Sequence, residues 1–404
     1  MLKIKDLYIS GGRTKADIRY NLTDSAFPRF SWSLEGGEPR QKGYRARAFC
    51  GETLLWDSGF VASEEQEALY AGAPLPPGRK TRVSVSVYGE DGCAGALERD
   101  VMNACFEEKA KWIRPQEPTD GRVTYFSRDI MLAEEPREAC FYVCGLGYHH
   151  ILINGEAPDD SLLQPSHTNY AKTVCCSAKP AGFLLKKGLN TVSVLVAEGW
   201  RNNMTEETKR AVGERQIEFM GPVMLWGQLE VFYAGGRQET FVTDASWQYS
   251  FGPVAQSGIY AGEDYNAAAE EEKRSVCECE GPGGTLAPDI LEPVRPVRTL
   301  APADITRPEK GLCVLDFGEN IAGVLRLPLP PLPRGHRIEV RFAEELDEYG
   351  TLFTAPLRGA LCRDTYTASG DERDLAVWQP LFTWHGFRYA AVSGLEDCSG
   401  AEAV

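Results

Sequence analysis

Apolar residues in this chain recur at every second position, in short runs that end on glycine, proline or a charged turn. Arg82 to Tyr88 (RVSVSVY), Thr191 to Val196 (TVSVLV) and His336 to Phe342 (HRIEVRF) alternate in this way, and long stripes with a 3.6-residue period are nearly absent. A period of two puts successive side chains on opposite faces of an extended backbone, so each run buries one face of a sheet. Forty glycines and 25 prolines punctuate the 404 residues and keep the runs short. Short strands between frequent turns build antiparallel sandwiches, and the expected fold is all-β: three tandem antiparallel β-sandwich or jelly-roll domains.

The division into three follows from length, because a domain of roughly 100 to 200 residues is the usual unit. A 43% hydrophobic content with 25% charged residues describes packed domains rather than a disordered chain. The net charge of −15 argues against nucleic acid, whose phosphates are held mainly by Lys and Arg. No stretch approaches the roughly 18 apolar residues of a membrane span. The first residues, MLKIKDLYIS, lack the apolar core of a signal peptide, and the 12 cysteines are scattered without a disulfide framework, so a reduced, cytoplasmic protein is expected. Cys277-Glu278-Cys279 and Cys175-Cys176 do not complete the four-ligand pattern of a zinc site, and no metal is assigned to them.

Residues 1–108 hold PRFSW (Pro28 to Trp32), YRARAF (Tyr44 to Phe49), LLWDSGFV (Leu54 to Val61) and an LPPG turn before the strand at Arg82. Trp32 and Trp56 lie in apolar strand runs and are assigned to the core. Residues 109–290 carry CGLGYHHILINGEAPDDSLLQPSHTNYAKTV from Cys144, LLKKGLNTVSVLVAEGWRNN from Leu184, and DASWQYSFGPV leading into GIYAGEDYNA. Asn154-Gly155 in that stretch is a type I′ turn signal. Residues 291–404 hold VLDFGENIAGVLR from Val314, AEELDEYGTLFTAPLRGALCRDTYT from Ala343 and FTWHGFRYAAVSG from Phe382. Between them PLPPLP, Pro328 to Pro333, is too proline-rich for a central strand and is expected to be an exposed connector.

These runs, in this order, resemble the β-sandwich region that precedes the catalytic barrel of bacterial α-L-rhamnosidases, a glycoside hydrolase family. The resemblance implies a fibronectin type III-like module over 1–108, an N-terminal jelly roll of carbohydrate-binding-module type over 109–290 and a concanavalin-like sandwich over 291–404. In the family the reaction is carried by a helical barrel that follows this region, and no segment here resembles the barrel's motifs. No catalytic residue is therefore carried over. The expected role is to scaffold a barrel that this chain lacks, as a fragment, since Val404 stands where a relative would cross into its barrel. A stand-alone rhamnose-binding protein and a non-catalytic subunit of a split hydrolase are the alternatives, with a rhamnose-containing glycan and a separately encoded barrel as the respective partners.

Glycoside hydrolysis needs two carboxyl groups across the scissile bond. The densest acidic stretch, Glu344-Glu345 with Asp347-Glu348, reads instead as a solvated hairpin tip, because adjacent strand positions face opposite ways. Some jelly rolls of the family hold rhamnose beside a calcium ion near a Gly-Trp corner, which implies a sugar site at Glu198 and Trp200; Asn202, and His167 in the turn QPSHTNY, are further sugar-binding candidates. Calcium is the only cofactor implied, and Ala197 gives it no side-chain oxygen. Arg201 stands where the family has an aromatic residue, so packing of Trp200 against the core or a barrel is the competing expectation. His385 and Arg388, in FTWHGFRY, are expected to face the barrel. Loss of that barrel should expose an apolar patch, expected on the third domain.

Overall fold

The computed structural model describes residues 3–9, 12–14, 21–23, 26–35, 40–90, 92–104, 106, 109–202, 221–289, 291 and 293–404. Its elements are almost all strands. In the first unit a four-stranded sheet, ordered Gly12–Thr14, Lys3–Ile9, Arg29–Glu35, Glu67–Leu69, faces a five-stranded one centred on Lys80–Gly89. The alternation of RVSVSVY is used as read: Val83, Val85 and Val87 are buried against Leu7, Phe30 and Trp32. Trp32 donates its indole N–H to Gln41 Oε1 at 2.8 Å, which satisfies a buried polar atom inside that core. Trp56 is half-buried, edge-on to Tyr70 with ring centroids 5.2 Å apart.

The second unit is a sandwich of a seven-stranded and a five-stranded sheet. Glu138–Leu146 and Met224–Phe232 are neighbours in the first, and Gly188–Ala197 lies between Tyr148–Ile153 and Thr124–Leu132 in the second. Phe126, Phe141, Val194, Leu225 and Trp247 fill the space between them. At the hairpin tip Asn154 and Gly155 have φ of 54° and 86°, the two positive values that a type I′ turn requires. The first unit is seated on this one through Met102 and Phe106, which pack on Tyr142 and Trp226, and through a 2.8 Å ion pair from Lys80 to Glu138.

The third unit departs from a linear division of the chain. Its seven-stranded sheet runs Val254–Gly258, Gly262–Asn266, Arg363–Thr367, Arg337–Ala343, His385–Ser393, Leu312–Gly323, Asp304–Glu309. The first two strands are GIYAGEDYNA and its approach, which the sequence division placed in the second unit. After that hairpin the chain returns to the second unit at Arg274–Ser275. The two domains are thus interleaved, because Asp264 to Asn266 pair in parallel with Thr365 to Thr367 about a hundred positions along. Phe342, Tyr366, Trp378 and Phe387 form the third core. The proline run is partly strand: Leu325–Pro328 pairs at its end with Val377–Trp378, and only the residues after it make a connector. Among the described residues no helix is long and apolar enough to cross a membrane.

Candidate functional site

Interleaving the second and third units leaves a cavity of about 850 Å³ at their junction. The second unit contributes the loop Leu162 to His167, together with Tyr148 and Trp200. The third contributes Asn320 to Val324 and the loop that ends in Trp384, and Leu291 and Pro293 to Arg298 line the cavity between them.

Trp200 stands on a four-residue helix, Gly199–Asn202, that turns the chain after the strand Gly188–Ala197. Its indole is 36% exposed, so it is a wall of the cavity and not a plug of the jelly-roll core. Tyr260 meets it edge-on with centroids 5.9 Å apart, and the His167 ring lies 6.4 Å away. His167 is fixed by a 3.1 Å hydrogen bond between Nδ1 and the Tyr170 hydroxyl, and burial holds its pKa below the ordinary value, which favours the neutral ring. Arg201 is buried, with its guanidinium 5.5 Å from the centre of the Tyr170 ring.

The loop carrying His167 is anchored from behind. Ser166 binds both oxygens of Asp289, through its amide at 2.8 Å and its hydroxyl at 2.9 Å. Further back, Lys179 reaches both oxygens of Asp159, at 3.1 and 2.8 Å, and also the Ser161 hydroxyl. Burial lowers the Lys179 pKa more than Asp159 restores it, while burial of Asp159 is outweighed by Lys179 and Ser161, which keep its carboxyl below the usual range. His149, one strand away, is pushed down to about 3 by burial and then by Lys179, and is a neutral core residue bonded to the Gly145 amide.

On the opposite wall Trp384 is 41% exposed and Asn320 is held by Glu344 at 3.0 Å. Glu263, fully buried, accepts the amides of Leu381 and Phe382 and so fixes the loop before Trp384. Burial and then the charge of Asp364 push its pKa up to about 8.

Of the residues singled out in the sequence, the structure brings Trp200 and His167 to one cavity and leaves the others elsewhere. Glu198 is buried, and its Oε1 accepts from Thr119 Oγ1 at 2.6 Å and the Gly121 amide at 3.0 Å; it braces a turn and is not on the cavity wall. Ala197 contributes only a backbone carbonyl, so the residues at this turn do not fit a calcium site. The side chain of Asn202 lies outside the described residues. His385 is not surface-facing as expected: its side chain is fully buried, bonded to both oxygens of Asp364 at 3.0 Å and stacked 4.2 Å from Phe342. Arg388 is partly exposed and bidentate to Asp316, with both contacts at 2.8 Å. Asp347 folds back on the Tyr349 and Thr351 amides at 2.9 Å, which makes the acidic run a capped hairpin tip. Among the described residues no three His, Cys, Asp or Glu are grouped to hold a metal ion.

Trp384 was missed as a cavity residue. It ends the loop just before the strand His385–Ser393, where alternation sets no facing. Glu263 gave no local signal, because its partners lie about 120 positions away in the chain.

Comparison with known proteins follows the three units. Residues 19–101 match the Rha78A-like N-terminal immunoglobulin domain, residues 134–280 the α-L-rhamnosidase N-terminal domain, and residues 306–404 the bacterial α-L-rhamnosidase concanavalin-like domain. An α-L-rhamnosidase of Formosa agariphila is 28% identical over 410 residues, covering 92% of this chain and 43% of that protein. One from Streptomyces avermitilis is 32% identical over 269 residues, 63% of this chain and 25% of the relative. The crystal structure of the Aspergillus terreus α-L-rhamnosidase superposes with a TM-score of 0.86 at 26% identity, over all of this chain and 49% of that one. The chain thus spans between a quarter and a half of the length of these relatives.

Proposed function

We propose that this chain, which consists of the N-terminal β-sandwich domains of the bacterial α-L-rhamnosidase family, scaffolds a catalytic helical barrel and presents the junction cavity to it. The observation that carries this reading is the concentration of exposed apolar side chains at one concave place. Trp200, Leu291, Val294, Val297 and Trp384, between 36% and 94% exposed, all line the cavity. A soluble surface seldom gathers large apolar side chains into one hollow unless something covers them. Relatives roughly two to three times as long supply a natural occupant in their remaining chain. The barrel is either continuous with this polypeptide or a separate one. The cavity bridges two domains, so covering it also fixes their relation to the barrel. Isothermal titration of the chain with the helical portion of a relative tests this reading: binding that Trp200→Ala and Trp384→Ala each weaken supports it, and binding indifferent to both changes opposes it.

A second reading has its own support in Trp200, His167 and Trp384 on facing walls of one hollow, since aromatic faces and nearby donors are how uncharged sugars are held. On that reading the chain binds a rhamnose-containing glycan, without calcium, with an affinity on the order of millimolar to tens of micromolar for a monosaccharide. Titration with L-rhamnose separates the two. Heat that disappears in Trp200→Ala favours the sugar. Among the described residues ten cysteines are free, which supports a reducing compartment such as the cytoplasm.

A further inference from the structure

Glu263 lies behind the cavity and is 1% exposed on the strand Gly262–Asn266. Its Oε2 accepts two consecutive amides, Leu381 at 3.1 Å and Phe382 at 3.0 Å. The next residue, Thr383, donates its hydroxyl at 3.1 Å to the carbonyl of Gly258, on the other strand of the same hairpin. The residue after that is Trp384, on the cavity wall. Three hydrogen bonds therefore tie the loop that delivers Trp384 to one hairpin, and two of them end on a single carboxyl oxygen.

The groups around that carboxyl set its charge. Asp264 is beside it on its own strand. From the neighbouring strand Asp364 accepts the Glu263 amide at 2.9 Å and pairs with His385 of the strand His385–Ser393. Cys362 lies near His385. Tyr125 of the second unit and Tyr265 of the hairpin also face Glu263, and Glu271 acts on both tyrosines. Two cations stand among them: His385, bonded to Asp364, and Arg363, whose guanidinium is 3.7 Å from Asp264. Two amide donors favour an ionised Glu263, but burial and Asp364 outweigh them and raise its pKa to about 8. Burial would lower His385, yet the charge and hydrogen bond of Asp364 lift it to about 9. At neutral pH a protonated Glu263 beside the Asp364–His385 ion pair carries no net charge. Alkaline pH removes the Glu263 proton and then the His385 proton, leaving the Glu263 and Asp364 carboxylates side by side in a dry site without the histidine cation between them.

We propose that Glu263 is a proton-operated latch: protonated, it holds the Leu381–Trp384 loop on the hairpin and fixes one wall of the junction cavity; ionised, it turns to water and lets that wall go. The latch belongs to the chain itself and does not depend on what fills the cavity.

The test uses the full chain between pH 6.5 and 9.5. Acrylamide quenching is measured in the unaltered protein and in Trp384→Phe, and the difference reports Trp384 alone, while far-UV circular dichroism monitors global unfolding. The expected result is a Trp384 quenching constant that at least doubles between pH 7 and 9 with unchanged dichroism, and a flat profile in Glu263→Gln, which keeps an acceptor for the two amides but cannot ionise. Amide hydrogen exchange at Leu381 and Phe382 in the unaltered chain gives a second readout that needs no variant at Glu263. Their exchange should accelerate above pH 8 by more than base catalysis alone requires. A flat quenching profile in the unaltered protein, an equal rise in Glu263→Gln, or exchange that follows base catalysis alone overturns the latch.

Discussion

Replacing Lys179 with methionine should loosen the second unit and the cavity loop together. The Lys179 side chain is 6% exposed and its ammonium is spent on Asp159 and Ser161, so Lys179→Met leaves the Asp159 carboxylate without its cation. Removing one member of a buried pair costs about 3–5 kcal/mol in general, because a charge is stranded. Asp159 retains 24% of its side-chain exposure, and water can take over part of the role of Lys179. We therefore expect a loss nearer 2–3 kcal/mol, as an order of magnitude. Methionine has nearly the same volume as the lysine stem, so packing contributes little. Three cores need not unfold as one, and the suitable assay is native-state hydrogen exchange read on Thr173–Pro180 and Gly188–Ala197, which resolves this unit from its neighbours. In the double variant with Asp159→Asn the stranded charge is gone, so the loss should fall short of the sum of the single losses by about 1 kcal/mol or more. A Lys179→Met protein within about 0.5 kcal/mol of the parent, or strictly additive losses, would refute the claim that this pair holds the loop.

Other outcomes follow from the same structure. Trp378→Ala, at a 1% exposed position of the third core, should cost about 3–5 kcal/mol, seen as loss of protection in Arg337–Ala343 and His385–Ser393. Gln41→Leu should cost about 1–3 kcal/mol in the first unit, because it strands the Trp32 indole N–H and the carbonyls of Ser63 and Glu65; urea denaturation followed by fluorescence checks it. Both His385 and Glu263 have folded pKa values above their unfolded ones, so each binds more protons in the folded state over its window. Stability should then fall as pH rises above about 7, through Glu263 towards 8 and through His385 towards 9, and urea midpoints measured in steps from pH 7 to 9.5 should decline; at lower pH the buried His149, whose folded pKa is lowered, acts in the opposite sense. A midpoint that climbs from pH 7 to 9.5 contradicts this sign.

Much of the fold was legible because alternation is a local property. RVSVSVY, TVSVLV and HRIEVRF each became a strand with one buried face, and Asn154-Gly155 turned as its positive φ values demand. What escaped were pairings between distant segments. Nothing within GIYAGEDYNA says that it leaves its own domain to line the edge of the next, since an edge hairpin has the same pattern in either sheet. The site shows the same division. Trp200 and His167 were found by their place in recognisable runs, whereas Glu198, at the expected position, faces inward because Thr119 and Gly121 approach it from a loop some 80 positions away. His385 was misjudged for a related reason: its partner Asp364 lies on another strand, and only their meeting makes a buried histidine tolerable.

The central claim, that these domains serve hydrolysis without performing it, is tested most directly by incubating the purified chain with an aryl α-L-rhamnoside and measuring release of the aryl alcohol. The account predicts no turnover above the uncatalysed rate at any pH from 4 to 9, because the acidic hairpin at Glu344 to Glu348 is a solvated turn and the buried carboxyls of Glu263 and Asp364 are committed to structure. Turnover that vanishes when one carboxylate between residues 291 and 404 is changed to its amide would contradict it.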